Sequence, residues 1–343
     1  MKHIHILLVA GCLQILACKK QNTDDTTPPP VSTEIKSESW MHDLITLFPD
    51  KTIALKDIVM PGAHDAGLYE LNECTFGANA CNTETQLLNF SQQLTQGMRI
   101  FDVRPVYYNK KFYTQHATSC DGLGCKGALL STIYTHINEF LNTHAELVIL
   151  EMSHYCNTSV TDTALLNLAI RTFGDKIYKE TAVSATPFIK RPLKDIIGSN
   201  TSGKILFIYE GVTDNAENRA NGLFNGSLLP REGSWTNSHY LADLKRDQLA
   251  QYSNFSNDGE HLFQFSWQIT QNELQAINCF LNPNAPYIHQ TADSANAQIA
   301  PVIDSLITAG QIRKGRIPNV IYLDYSERFV TNTCIKISKL NIE

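Results

Sequence analysis

The chain carries no excess of positive charge: 28 Lys and Arg stand against 34 Asp and Glu, a formal net charge of −6. Nothing is left over to neutralise a nucleic-acid backbone or to hold an anionic membrane by charge, so nucleic acid is not an expected partner. The N-terminal apolar run, Ile4 to Ala17, falls short of the roughly 20 residues a membrane-spanning helix needs. No cysteine pair has the CxxC spacing of a zinc ribbon or a thioredoxin-like site, and no GxGxxG follows the first expected strand. What is present is a 343-residue chain, 43% hydrophobic and 18% charged, enough to bury the core of one large domain.

The N-terminus reads as an export signal, because Lys2 precedes the short apolar run. Ile15-Leu16-Ala17-Cys18 has the pattern of a bacterial lipobox, in which small Ala17 fits the signal peptidase and the Cys18 thiol receives a diacylglyceryl group. Val9-Ala10-Gly11-Cys12 fits the same pattern but leaves too short an apolar segment. Residues 1–17 are therefore expected to be removed, residues 18–39 to form a polar tether containing Pro28-Pro29-Pro30, and residues 40–343 to form one domain. The expected location is the bacterial cell envelope, outside the cytoplasm, with the membrane reached through the lipid anchor. Processing leaves seven thiols, Cys74, Cys81, Cys120, Cys125, Cys156, Cys279 and Cys334, of which one must stay unpaired. In an oxidising compartment Cys74/Cys81 and Cys120/Cys125 are plausible local bridges, although spacing does not fix connectivity.

Short β-branched or aromatic runs predict strands at 58–60, 99–106, 112–115, 147–152, 204–208, 261–267 and 320–324. Helical spacing predicts helices at 83–96, 129–143, 161–173, 241–252, 272–280 and 296–309. Leu147-Val148-Ile149-Leu150 is apolar without alternation, as a parallel strand covered on both faces should be. Strands separated by helices in a chain of this length favour an α/β fold, a single distorted TIM-type (β/α) barrel.

Such barrels carry chemistry at the C-terminal ends of their strands, and the unusual polar residues cluster there. His64 and Asp65 follow the first strand, Asp102 and Arg104 lie on the second, and His116 ends the third. Glu151, Ser153 and His154 finish the next, Glu210 follows 204–208, Trp267 and Gln268 follow 261–267, and Asp324 ends the last. Two histidines, an arginine and carboxylates suit in-line displacement at phosphorus. One neutral imidazole takes a proton, one cationic imidazole gives a proton, and the guanidinium binds phosphoryl oxygens in place of a metal.

These residues resemble the phosphatidylinositol-specific phospholipase C X domain, in its bacterial, metal-independent form. The resemblance spans roughly Trp40 to Phe329 and rests on Trp40-Met41, Ile58 to Gly67 with its Pro61-Gly62-Ala63-His64-Asp65 core, Gln93-Leu94, Gly97 to Arg104, His116, and Glu146 to Glu151. It implies His64 as general base oriented by Asp324, His116 as general acid paired with Asp65, Arg104 on the phosphate, and Asp102 supporting Arg104. It further implies attack of an inositol 2-hydroxyl on phosphorus, releasing diacylglycerol and a cyclic inositol phosphate, by a monomer without metal or cofactor acting on an inositol phospholipid or related glycolipid.

The chain departs from that pattern in the headgroup pocket. Ser153-His154 stands where relatives have a basic residue or a metal-binding glutamate, and Tyr209-Glu210 where they have an arginine. Ser153, His154, Glu210, Trp267 and Gln268 are the expected headgroup contacts. Two other readings share the barrel: a metal-dependent glycerophosphodiesterase or sphingomyelinase D-like enzyme, whose Glu-x-Asp pair is replaced here by Asp102-Val103-Arg104, and a lipid-anchored barrel without turnover.

Acylation of Cys18 would hold an acidic protein at the membrane by about 0.8 kcal/mol per buried CH₂. Cys18→Ser should therefore release the protein from the membrane fraction; a variant that still sediments with membranes, with no new signal-peptidase product, contradicts the lipoprotein reading.

Overall fold

A computed structural model describes residues 34–343 apart from 182–183 and 283. The export signal, Cys18 and the tether up to residue 33 lie outside the described residues. Eleven strands follow in chain order: β1 Met60–Ala63, β2 Glu73–Cys74, β3 Ile100–Val103, β4 Pro105–Tyr108, β5 Lys111–Ala117, β6 Gly124–Leu129, β7 Leu147–Met152, β8 Lys204–Tyr209, β9 Arg231–Glu232, β10 Leu262–Ser266 and β11 Val320–Leu323. Seven of them form a parallel sheet in the order β8-β7-β3-β1-β11-β10-β9, curled with helices outside it. This is the distorted barrel the sequence predicts, with one seam: among the described residues no ladder joins β8 to β9.

Alternation along the strands builds two cores. Ile100, Ile149, Leu206, Ile208, Val320 and Tyr322 pack together on one face. Phe101, Val103, Val148, Leu150, Phe207, Ile321 and Leu323 pack on the other, with the helix Leu130–Thr143 contributing Ile133, Tyr134 and Ile137. Gly62 lies between β3 and β11, where an added Cβ would come within 2.9 Å of Ile100 and 3.2 Å of the Tyr322 ring. Only glycine lets β1 sit this close, and β1 leads directly into His64.

The expected strand 99–106 is two strands in two sheets. β3 pairs in parallel with β1 and β7, whereas β4 begins at Pro105 and pairs antiparallel with β5. Proline cannot donate to a parallel ladder, and it forces the preceding residue into extended geometry, so the chain leaves the barrel at Arg104. The turn Asn109-Lys110, with φ of 46° and 62°, then reverses it into β5, as a two-residue hairpin turn requires. His116 thus comes not from a barrel strand, as expected, but from a four-stranded antiparallel sheet of order β2-β6-β5-β4, whose strands come from between β1 and β3 and between β3 and β7. Apolar pattern alone cannot separate a parallel strand from a hairpin strand.

The disulfides also differ from expectation. Cys74 and Cys125 are direct cross-strand partners and bond to each other, Cys81 bonds Cys279, Cys120 bonds Cys156, and Cys334 is free and buried. Local pairing loses because the β2–β6 register sets Cys74 beside Cys125. No helix among the described residues is long and apolar enough to cross a membrane.

An ion pair with no solvent exposure fixes the N-terminal end of the fold. Arg99 Nε lies 2.8 Å from Glu146 Oε2, and its other nitrogens donate to the carbonyls of Ser37, Glu38, Leu94 and Met98. Glu146 in turn accepts from the backbone N–H groups of Met41 and His42. Removing one member of a buried pair leaves the other uncompensated, so Glu146→Ala should cost about 3–5 kcal/mol in urea unfolding; a loss below about 1 kcal/mol would show that Arg99 finds water or another acceptor.

Candidate active site

The C-terminal ends of β1, β3, β5 and β11 meet at one point. His64 Nδ1 lies 2.8 Å from Asp324 Oδ1, the arrangement that leaves Nε2 free to take a proton. Nε2 faces the Arg104 Nη2 at 3.0 Å, a contact that suits the neutral Nδ1–H form of the ring, the form able to take a proton. When Nε2 is protonated, Asp65 Oδ2 lies 3.4 Å away to receive the charge. Burial and Arg104 oppose the cation, but Asp65 and Asp324 together outweigh burial and lift His64 to about 9. The sequence suggested one carboxylate neighbour; the fold supplies two.

Asp65 is the centre of the group. Its side chain is wholly buried, its φ is +43°, and its oxygens lie 2.8 Å from Arg104 Nε, 3.4 Å from His64 Nε2 and 3.7 Å from His116 Nε2. Aspartate tolerates the left-handed region better than most residues, and that turn aims the carboxylate into the site. Arg104 also contacts Asp102 Oδ2 at 2.8 Å, so one guanidinium spans two carboxylates. Burial alone would raise Asp102, but Arg104 and His64 hold it below the usual carboxylate range. His116 completes the set. Its Nδ1 lies 3.0 Å from the Thr83 carbonyl, an acceptor only, so Nδ1 carries a proton and Nε2 points towards Asp65.

His64, Asp65 and Asp102 offer donor atoms close enough together to hold a cation. The cation among them is the guanidinium of Arg104, within 3.0 Å of all three. The six residues expected to carry chemistry, His64, Asp65, Asp102, Arg104, His116 and Asp324, are thus brought together.

Of the expected headgroup contacts, Ser153 and Glu210 line a cavity of 560 Å³ that opens beside Asp102. Glu210 accepts the backbone N–H of His154, which stands exposed at the rim, and Ser153 Oγ reaches His154 Nδ1 at 2.8 Å. Trp267 and Gln268 do not belong to this wall. Trp267 is buried in the core with its indole N–H donated to the Ala295 carbonyl, and Gln268 is buried next to it. β10 ends at Ser266, and Trp267 turns back onto Phe265 in the core, which a strand-end position in the sequence does not reveal.

The cavity contains a cation that sequence reasoning missed. Arg231, on the two-residue strand β9, forms an ion pair with Glu151 on β7 and donates to Gln264 Oε1 at 2.9 Å. The Tyr322 hydroxyl donates to the same glutamate at 2.5 Å. Arg231 supplies from β9 the positive charge absent at Tyr209-Glu210. Pro230-Arg231-Glu232 has neither the length nor the apolar content of a strand signal, so only pairing with β10 exposes it.

No family model matches the chain. Two curated proteins are similar to parts of it. PI-PLC X domain-containing protein 3 of Danio rerio is 27% identical over 175 residues, covering 43% of this chain and 52% of that protein. A PI-PLC X-box domain-containing protein of Dictyostelium discoideum is 23% identical over 155 residues, covering 42% of this chain and 20% of its own length. The chain therefore spans about half of the first relative and a fifth of the second. Among solved structures, the phosphatidylinositol-specific phospholipase C of Listeria monocytogenes superposes with a TM-score of 0.62 at 19% identity, covering 88% of this chain and 99% of that one. A variant of the Staphylococcus aureus enzyme gives 0.60 at 17% identity, covering 90% and 98%. The shared fold and the two sequence matches bear out the X-domain resemblance.

A group raised from 6.5 to about 9 on folding adds stability that is complete below 6.5 and is lost as pH rises through 9. Asp324→Asn removes one of the two carboxylates responsible, so the His64 midpoint, followed by proton NMR of its ring, should fall clearly in that variant. A wild-type midpoint near 6.5, or one that Asp324→Asn does not move, contradicts this account of the site.

Proposed function

We propose that this chain, which shares the fold and the X-domain resemblance of the phosphatidylinositol-specific phospholipases C, is a phosphodiester-cleaving phospholipase C acting by acid–base chemistry without a metal. The observation that carries the reading is the convergence of two imidazoles, from two different sheets, on one buried carboxylate: Asp65 lies 3.4 Å from His64 and 3.7 Å from His116. A phosphoryl group seated on Arg104 would lie between the two rings. In its neutral form, whose share grows as pH rises towards 9, His64 Nε2 takes the proton of a headgroup hydroxyl as that oxygen bonds to phosphorus, and Asp324 holds the resulting imidazolium. The bond from phosphorus to the glycerol oxygen breaks, and the proton on His116 Nε2 passes to that oxygen. The products are a cyclic phosphodiester of the headgroup and diacylglycerol. Arg104 balances the charge that grows on the non-bridging oxygens, the part that calcium plays in metal-dependent phosphodiesterases.

The headgroup would occupy the cavity beside Asp102, where Ser153, Asn225, Ser227, Glu210 and Arg231 offer donors and acceptors in the density a polyol such as inositol requires. A lipid substrate fits the surface next to the site. Phe76 and Leu274 are 89% and 76% exposed, and Phe76 packs edge-on against Phe280 at 4.9 Å. Three disulfides accord with an extracytoplasmic enzyme, anchored through Cys18.

Phosphorus NMR of vesicles containing inositol, glycerol or choline phospholipids should show a cyclic phosphodiester from the inositol lipid, undiminished by EDTA. Loss in chelator restored by calcium would replace this reading with a metal-dependent phosphodiesterase, and absence of any phosphorus product with a binding barrel. Arg104→Lys keeps the charge but not the fork that spans phosphoryl oxygens and both carboxylates, and should lower kcat by about 10²-fold or more. His64→Ala and His116→Ala each remove a proton transfer worth about 10²–10⁴-fold. Only His116→Ala should recover on a substrate with an aryl leaving group, which departs without a proton; equal recovery of both variants would overturn the assignment of acid and base.

A further inference from the structure

Two elements of no regular structure meet behind the two histidines. The segment Thr83-Glu84-Thr85-Gln86 leaves a single helical turn, Ala80–Thr83, and runs as extended chain with no ladder of its own. Each of its residues grips the backbone or ring of a site residue or its neighbour. The Thr83 carbonyl accepts His116 Nδ1–H at 3.0 Å. The Glu84 carbonyl accepts the Tyr325 hydroxyl at 2.6 Å, and the Thr85 carbonyl accepts the Tyr325 N–H at 2.8 Å, next to Asp324. The Thr85 hydroxyl donates to the Asp65 carbonyl at 3.0 Å, and the Gln86 amide donates to the His64 carbonyl at 2.8 Å. Gln86 Oε1 accepts from both the N–H and the hydroxyl of Ser326. Thr83, Thr85 and Gln86 are buried and Glu84 is half-buried.

A single turn is too short to hold itself. What holds it is outside the barrel: the Cys81–Cys279 disulfide, the Asn82 amide donating to the Ala276 carbonyl at 3.1 Å, and the Gln271 amide donating to the Cys81 carbonyl at 3.2 Å. The histidine on the other side of the Thr83 bond is anchored separately. His116 is the cross-strand partner of Cys125, which is bonded to Cys74. The ring and its acceptor therefore hang from two different covalent ties.

We propose that the segment Thr83–Gln86, pinned through Cys81–Cys279, is the positioning element that fixes the protonation geometry of His116 and keeps it in register with His64. This rests on the phospholipase C reading for its catalytic consequence, but not for its structural one. Without the tie the Thr83 carbonyl drifts, Nδ1–H loses its acceptor, and the ring no longer presents a protonated Nε2 to the leaving oxygen. Residues 81 and 279 touch no reacting atom and act only through His116.

The double variant Cys81→Ser/Cys279→Ser tests this in the full chain by two readouts. In ¹⁵N-histidine-labelled protein, His116 should show a persistent Nδ1–H signal in the wild type that broadens or vanishes in the double variant. Removing the third disulfide, which holds neither the ring nor its acceptor, with Cys120→Ser/Cys156→Ser, should leave that signal in place. In kinetics, misplacement of an acid by about 1 Å costs on the order of 10²-fold, so the double variant should lose that much with a diacylglycerol leaving group and less than about 10-fold with an aryl one. Asn82→Ala, which keeps the disulfide and cuts the bond to Ala276, should give a smaller loss of the same pattern and serves if the double variant does not fold. An unchanged His116 signal in a folded variant, or equal losses on both leaving groups, overturns the positioning role. A wild type that cleaves neither phosphodiester while the His116 signal still responds overturns the phospholipase reading and supports the positioning role.

Discussion

Three carboxylates, Asp65, Asp102 and Asp324, are drawn to one point by strands that have to converge there, and the site exists because their charge is balanced. Buried like charges at this separation would raise one another's pKa until one or two were neutral. Arg104 prevents this by touching two of them, and His64 by touching the third and facing the first. Much of the local backbone follows from that requirement. Pro105 ends the parallel ladder where the guanidinium has to turn inward, Asp65 adopts a left-handed φ to reach it, and Gly62 lets β1 lie close enough to β11 for His64 to meet Asp324. The arrangement sets a fixed guanidinium and two imidazoles around one shared carboxylate.

What could be read in the sequence was what depends on local pattern. Leu147–Met152 is a strand in both readings because four consecutive apolar residues between polar bounds have few other uses. The helix at 129–143 was legible from its stripe, and the catalytic six from motif order. Features that depend on pairing were not legible. The single expected strand 99–106 is divided between two sheets, because its apolar run continues through the change of partner. The expected helix 83–96 is a helix only over Phe90–Thr95, since Thr83 to Gln86 spend their hydrogen bonds on the site instead of on one another. The long helix Ile288–Thr308 begins before its expected start at 296, its first turns being masked by Gln, Thr and Ser. Disulfide connectivity followed strand register and helix docking, neither of which spacing encodes.

The cavity beside Asp102 carries a cation, but not on β8, where the sequence resemblance places one. Arg231 comes from β9 and is held by Gln264 and by Glu151, which the Tyr322 hydroxyl also contacts. A paired arginine is a weaker attractor for an anion than a free one, but its remaining donors are oriented and its position is fixed. Together with Ser153, Ser227 and Asn225 this makes a wall of oriented donors and acceptors with little free charge.

The same wall contains the seam between β8 and β9. Elsewhere around the barrel, moving neighbouring strands apart breaks a row of backbone hydrogen bonds, whose unmade donors and acceptors are costly in a dry interior. At the seam the two sides are joined by side chains, Arg231 reaching Glu151 across it, with two isolated bridges on β8, from Ile205 to Ile177 and from Ile208 to Phe224. Side chains can change rotamer without disrupting a ladder. The barrel is thus closed by backbone ladders around His64, Asp65 and Asp324 and by side chains at the seam, so substitutions along the seam can enlarge or reshape the cavity without breaking a ladder that holds those residues.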